Sequence, residues 1–301
     1  MKIGFGVPVS GSWATPANML QIARRAEELG YDSLWTFQRL LYPVGHQMGP
    51  VYRSVQDPIV TLAYLAGVTS RIRLGVAVVN LPFSSPALLA KQCATLQDVS
   101  GGRLDVGLGL GWLPEEFVAS GVPMESRGRR AVEYLQVLRR LWSDEIISHK
   151  GEFYEIPPSH QDPKPRPAPP VLLGGTAEVA LRRAGELADG WISSSRADLA
   201  RISEQIYIVK DAARVAGRDP GALRFICRGV TKVREAGLPG RAPLTGSLEE
   251  IRADVEALAA AGVTELFHDL NFDPEIGSPD ADPVVSLDRA ERALEGLAPR
   301  A

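Results

Sequence analysis

The sequence predicts a (β/α)8 TIM barrel, and three observations predict it. Short β-branched or apolar runs alternate eight times with amphipathic helical stretches along the 301 residues. The runs read as apolar throughout, as parallel strands covered on both faces should. The turn after the first run, Gly11-Ser12-Trp13, lacks the glycine spacing that a doubly wound dinucleotide-binding sheet carries there. Barrels of this length form one unit routinely, so residues 1–301 are expected to make a single domain, with insertions after strands four and seven.

Each element follows from local signals. The first strand is expected over residues 3–9, with a helix over 16–29 that Thr15 caps and Gly30 stops. The second strand spans 33–37, and the helix over 58–68 starts with Asp57 as cap and Pro58 in its first position. A long third strand, 72–81, leads to a helix over 86–99. The fourth, 104–108, is followed by a helix over 127–142 whose apolar residues recur at three-to-four spacing. Strands at 171–173, 191–193, 223–233 and 265–270 alternate with helices at 177–188, 199–216, 248–261 and 284–297. Two stretches exceed a minimal barrel. Residues 143–170 contain a small hairpin around HKGEFYEI and then PPSHQDPKPRPAPP, too proline-rich for a helix or central strand. Residues 235–247 form the second insertion. Each is either a lid over the barrel mouth or a passive surface loop.

Composition excludes several classes. A net charge of −3 gives no electrostatic reason to expect nucleic acid or an anionic membrane surface as partner. No segment approaches the roughly 20 apolar residues of a membrane helix, and the N-terminus reads as a strand rather than a signal segment. Cys93 and Cys227 lie far apart without metal-ligand spacing, and no histidine motif suggests a metal site. A cytoplasmic protein acting on a small molecule is expected.

At the handover from the fifth strand to its helix, VLLGGTAEVALRRAGELADGW places Gly174-Gly175-Thr176. Adjacent glycines there serve either a tight turn or the close approach of a phosphate to bare N–H groups at a helix start. A sugar-phosphate isomerase or aldolase would also use such a turn, but none of the inferred strands ends in the lysine or glutamate it needs.

The order of RAEELGYDSLW, DPIVTLAYLAGVTSRIRLG, SGGRLDVGLGLGW, RGRRAVEYLQVLRRLW, GEFY and GGTAEVALRRAGELADGW resembles the luciferase-like monooxygenase superfamily. More narrowly it resembles the actinobacterial branch dependent on coenzyme F420, a deazaflavin. The likeness is close over about residues 1–200 and looser beyond. It implies a flavin-type cofactor at the C-terminal mouth of the barrel, its phosphate on Gly174, Gly175 and Thr176, with Ser194 adding a donor. It also implies a non-proline cis peptide among Ala77, Val78 and Val79, expected at Val78–Val79, supporting the central ring. Asn80 then either bonds the flavin edge or ends the strand.

Gly107 and Gly109 are expected to admit a planar ring, since strand geometry does not call for them. Trp112 stands where several relatives carry an acidic glutamate; here it can stack but not transfer a proton. Glu115 and Glu116 read as solvated helix-start charges. Gln38 and Arg39 occupy the frame where many relatives have an acid followed by histidine, so that acid–base pair is absent. Arg39 either binds an anion or pairs with a local carboxylate. His46 and His268 are the remaining catalytic candidates, the latter at a strand end. Trp13, Phe37 and Gln38 are expected to meet the substrate.

The resemblance implies hydride transfer between reduced F420 and a small apolar substrate. The alternatives are an FMN-dependent monooxygenase, fed by a separate flavin reductase and using O2, and a non-catalytic flavin-binding relative. A basic groove would suit the oligoglutamate tail of F420, with Arg39, Arg53, Arg127, Arg129 and Arg130 as candidates. Relatives also suggest a homodimer.

Overall fold

The structure is a computed structural model and describes residues 1–300. Its strands and helices, in chain order, are β1 (Lys2–Gly6), α1 (Pro16–Glu28), β2 (Ser33–Thr36), α2 (Pro58–Ala66), β3 (Arg73–Asn80), α3 (Pro86–Val99), β4 (Leu104–Gly109), α4 (Pro114–Ala119) and α5 (Arg127–Ser143). Then come β5 (Ile147–Lys150), β6 (Glu155–Ser159), β7 (Val171–Gly174), α6 (Glu178–Leu187), β8 (Gly190–Ile192), α7 (Ile202–Val215) and β9 (Arg224–Val230). The chain finishes with β10 (Lys232–Val233), β11 (Thr245–Gly246), α8 (Leu248–Ala260), β12 (Glu265–Asp269) and α9 (Pro283–Gly296). Eight parallel strands close into a barrel in the order β1-β12-β9-β8-β7-β4-β3-β2, which is the expected (β/α)8 architecture.

Two helix starts follow the predicted caps: the Thr15 and Asp57 side chains accept from Asn18 and Val60 N–H, and Ser85, which was not among the expected caps, accepts from Leu88 N–H, each with proline opening the helix behind it. Ser247 and Glu250 make a reciprocal capping box on α8.

Side-chain alternation sorts each strand into an inner and an outer set. Outward residues such as Leu34, Leu74, Val106, Phe225 and Leu266 are fully or nearly fully buried beneath the helices. The inner set is layered, and here the expectation of wholly apolar strands needs correction. At the N-terminal end of the barrel Arg73, Asp105, Arg224 and Glu265 form a polar plug. Asp105 accepts from Arg73 (2.6 and 2.8 Å) and from Arg224 (2.6 and 3.1 Å), while Glu265 accepts from Arg224 (2.9 Å) and Ser33 (2.6 Å). Above it Trp35 stacks on Phe267, ring centroids 5.1 Å apart, among Leu172, Ile192 and Ile226.

The helix ring packs closely at one point in particular. A Cβ on Gly185 of α6 would stand 2.2 Å from the Val209 carbonyl oxygen of α7. Alanine would gain up to about 1 kcal/mol of helix propensity, but overpacking against backbone costs about 1–3 kcal/mol or more. Gly185→Ala is therefore expected to lower the urea midpoint with an unchanged m-value. A midpoint at or above that of the parent would mean the two helices separate freely.

The excursion after β4 contains the expected hairpin, β5 paired antiparallel with β6. The predicted seventh strand divides into β9 and β10, and β10 pairs with β11 across the second insertion. Arg241 ties that insertion to α8 through Asp254 (2.6 Å). Neither insertion lines the mouth of the barrel, so the lid alternative finds no support in their placement. Among the described residues no helix is long and apolar enough to cross a membrane, and no group of three or more His, Cys, Asp or Glu is placed to hold a metal ion.

Candidate active site

The C-terminal ends of the strands surround a cleft of about 670 Å³. Its floor is set by an irregularity in β3. The β3–β4 register shifts between Val76 and Val79, and the peptide Ala77–Val78 is cis. The expected non-proline cis bond is thus present one residue before the Val78–Val79 position anticipated. The shift directs Val78 into the cleft and leaves Val79 buried in the core.

The glycines of β4 make room for this bulge, which corrects the reason expected for them. A Cβ on Gly107 would lie 2.1 Å from the Val76 carbonyl oxygen, and Gly107 does not line the cleft. A Cβ on Gly109 would lie 2.5 Å from a Val78 methyl. Gly109 does line the cleft, beside Asn80. The Asn80 N–H donates to Gln38 Oε1 (2.9 Å), and its side chain makes no cap bond, so its amide is free for a ligand.

On the opposite wall β7 hands over to α6 at Gly174-Gly175-Thr176, all three lining the cleft. Gly175 takes φ +140°, and a Cβ there would meet Ala180 at 2.6 Å, so the turn itself demands glycine. Ala177 stands at the N-cap with no side chain able to cap, and the Glu178 and Val179 N–H groups donate to no protein acceptor among the described residues. A positive helix end with bare donors faces the cleft. Glu178, the one acid in the first turn, is drawn to Arg182 (2.8 Å). Ser193, Ser194 and Arg196 follow from the end of β8.

Cations dominate the remaining wall. Arg39, Arg127, Arg183, Arg196 and Arg228 line the cleft, and no aspartate, glutamate or histidine does. Arg39 pairs with Glu116 (2.9 Å), their side chains 5% and 1% exposed, and Glu116 also accepts from the Leu40 N–H (2.7 Å). Glu116 is therefore a buried anchor for the loop after β2, not a solvated charge. Arg228 pairs with Asp269 (2.7 Å) and donates to the Ala77 carbonyl of the bulge (3.0 Å). Arg127, Arg183 and Arg196 have no carboxylate within ion-pair distance among the described residues, and desolvation lowers the Arg183 pKa. Arg129 is engaged by Glu152 outside the cleft, and Arg53 and Arg130 do not line it.

Other candidates fall away from the mouth. Trp13 is fully buried in the core, and His46 is exposed on the loop after β2. His268 points between the barrel and its helices, its Nδ1 3.0 Å from the Thr231 hydroxyl, while its neighbour Asp269 faces inward. Phe37, Gln38, Arg39 and Trp112 do meet in the cleft, joined by Tyr52. Tyr52, Arg183 and Arg228 were not anticipated. The alternation of Arg224, Ile226 and Arg228 along one strand was the available signal for the last.

A TIM barrel with a glycine turn at a helix start, a β3 bulge and a cationic mouth is the arrangement that the chain offers for comparison with known proteins. Residues 3–237 match the family model described as luciferase-like monooxygenase, and the chain belongs to that family. An uncharacterized protein of Mycobacterium tuberculosis (strain ATCC 25618 / H37Rv) is 36% identical over 287 residues, covering 86% of this chain and 98% of its own. F420-dependent glucose-6-phosphate dehydrogenase of Amycolatopsis mediterranei (strain U-32) is 28% identical over 72% of this chain and 64% of its own. The crystal structure of monooxygenase RslO1 from Streptomyces bottropensis shares the fold with TM-score 0.79 at 24% identity, covering 98% of both chains. The family comprises oxidoreductases and monooxygenases with flavin or deazaflavin cofactors.

Proposed function

We propose that this chain is an oxidoreductase that uses coenzyme F420, passing a hydride between the reduced deazaflavin and a small organic substrate. The carrying observation is charge: Arg127, Arg183 and Arg196 line the same cleft as the bare α6 N-terminus and have no carboxylate partner among the described residues. A single terminal phosphate, as on FMN, is served by the helix end alone. A polyanionic tail makes use of the additional cations. The F420-dependent dehydrogenase among the relatives supports the same reading.

When bound, the deazaflavin supplies a hydride donor or acceptor carbon. The chain's own residues do the rest. Gly174, Gly175 and Thr176 would hold the phosphate through N–H and hydroxyl donors. Val78 on the bulge would pack against the ring, and Asn80 would offer it a side-chain amide. Phe37, Tyr52 and Trp112 exclude water from the face where the substrate sits. No acid–base pair lines the cleft, so proton exchange falls to Tyr52 or to water.

Calorimetric titration tests this. F420 is expected to bind at least tenfold more tightly than FMN, with the preference narrowing as salt screens the arginines. Arg183→Ala and Arg196→Ala are each expected to weaken F420 about tenfold, the worth of one charge-assisted hydrogen bond, and FMN by less. Selective FMN binding would overturn the proposal in favour of an oxygen-using monooxygenase with a separate reductase. Binding of neither would return Gly174-Gly175 to a mere turn.

A further inference from the structure

The cleft carries one feature that phosphate binding does not use. A row of alternating rings and guanidinium groups crosses the mouth. The Arg39 Cζ lies 4.8 Å from the ring centroids of both Tyr52 and Trp112. The Arg228 Cζ lies 4.6 Å from Phe37 and 4.4 Å from Phe272. Tyr52 joins the two groups, its ring 5.6 Å from Phe272 and 6.5 Å from Phe37. Each guanidinium is thus fixed by aromatic faces and by one carboxylate, Glu116 or Asp269, behind it.

Neither guanidinium is saturated. Arg39 spends one nitrogen on Glu116, and its Nε is buried without a partner. Arg228 uses Nε and one terminal nitrogen, leaving the other without an acceptor among the described residues. The second terminal nitrogen of each guanidinium makes no hydrogen bond among the described residues and, unlike the Arg39 Nε, is not sealed from the cleft, so it is open to an acceptor that arrives with the ligand. Five arginines against two carboxylates leave the cleft cationic, and it will concentrate anions. The glycine turn lies on the β7–α6 wall, whereas Arg39 belongs to the loop after β2 and Arg228 to β9, where it donates to the bulge.

We propose that Arg39 and Arg228 form a carboxylate subsite, and that the substrate is a carboxylic acid whose planar, conjugated body lies against Tyr52 and Trp112. This deepens the oxidoreductase reading and rests on it only for what happens to the substrate afterwards. A fork of planar donors stacked on aromatic rings suits a carboxylate conjugated to a flat π-system better than a sugar or an aliphatic alcohol.

The probes are trans-cinnamate and its neutral isostere trans-cinnamamide, titrated calorimetrically into the full chain with and without F420. The unaltered protein is expected to bind cinnamate at least tenfold more tightly than cinnamamide. Arg39→Met should cut that ratio below threefold while leaving F420 affinity within twofold. Trp112→Ala should weaken both probes alike and keep the ratio. Trp112 is 44% exposed, so its variant is expected to fold whatever becomes of the Arg39 one. Equal affinity of the unaltered protein for the two probes would overturn the subsite, as would an undiminished ratio in folded Arg39→Met. Discrimination between the probes without F420 binding would leave the subsite standing and remove the F420 reading. F420 binding without discrimination would do the reverse.

Discussion

Asp105→Asn is expected to remove about 3–5 kcal/mol of folding free energy, the usual result of stripping one partner from a buried ion pair. Asp105 is fully buried, and four hydrogen bonds from Arg73 and Arg224 end on its two oxygens. Burial opposes its ionisation, yet the two guanidinium groups outweigh that and hold its carboxyl below the usual range. Asparagine keeps the shape, loses the charge, and leaves Arg224 with Glu265 and Arg73 with no carboxylate among the described residues. Domains have about 5–15 kcal/mol in total, so the loss should appear as a large fall in the urea midpoint. A change below about 1 kcal/mol, typical of exposed pairs, would show that water reaches the plug. The sign with pH follows from the depressed pKa. The Asp105 contribution is complete above the ordinary carboxylate pKa of about 3.9 and is lost only below it.

That plug illustrates why part of the molecule was legible and part was not. Element type and order follow from local signals: caps such as Thr15 and Asp57, prolines behind them, and eight apolar runs. The glycine turn at the cleft is local too, since Gly174, Gly175 and Thr176 are consecutive and their helix begins at once. Pairings across the barrel are not local. Glu116 was taken for a solvated charge because its partner Arg39 lies 77 residues earlier, and nothing near Glu116 indicates burial. Arg228 reaches Asp269 across 41 residues, and the aromatic row depends on Tyr52 folding back from the loop after β2.

Parity explains the sharper errors. Strand side chains alternate between faces, so a slip of one residue exchanges core for cleft. At the end of β12 the sequence offers His268 as a catalytic candidate, and its neighbour Asp269 is the residue that faces inward. In β4, glycine at 107 and 109 signalled close approach correctly, but what approaches is the bulged β3 backbone and Val78. The same bulge moves the cis bond to Ala77–Val78. The pattern identified a crowded place and misassigned what crowds it.

His268 consequently yields a prediction about stability rather than turnover. Burial alone depresses its imidazole from 6.5 to about 3. In the unfolded chain it takes up a proton below about 6.5, while in the fold it stays neutral. Protons therefore favour the unfolded state throughout that window, and stability falls as the pH drops from about 6.5 toward 3. The slope approaches about 1.4 kcal/mol per pH unit, or about 3 kcal/mol between pH 6.5 and 4. Asp105 contributes little between pH 6.5 and 4, because its loss falls mostly below the ordinary carboxylate pKa. His268→Leu should flatten the curve of urea midpoint against pH over that range, whatever its cost at neutral pH, with F420 affinity unchanged within twofold. His46, exposed on its loop, supplies the control: its replacement should leave the slope intact. If His268→Leu keeps the acid slope and instead weakens cofactor binding, the histidine faces the cleft and the inward–outward assignment of β12 is wrong.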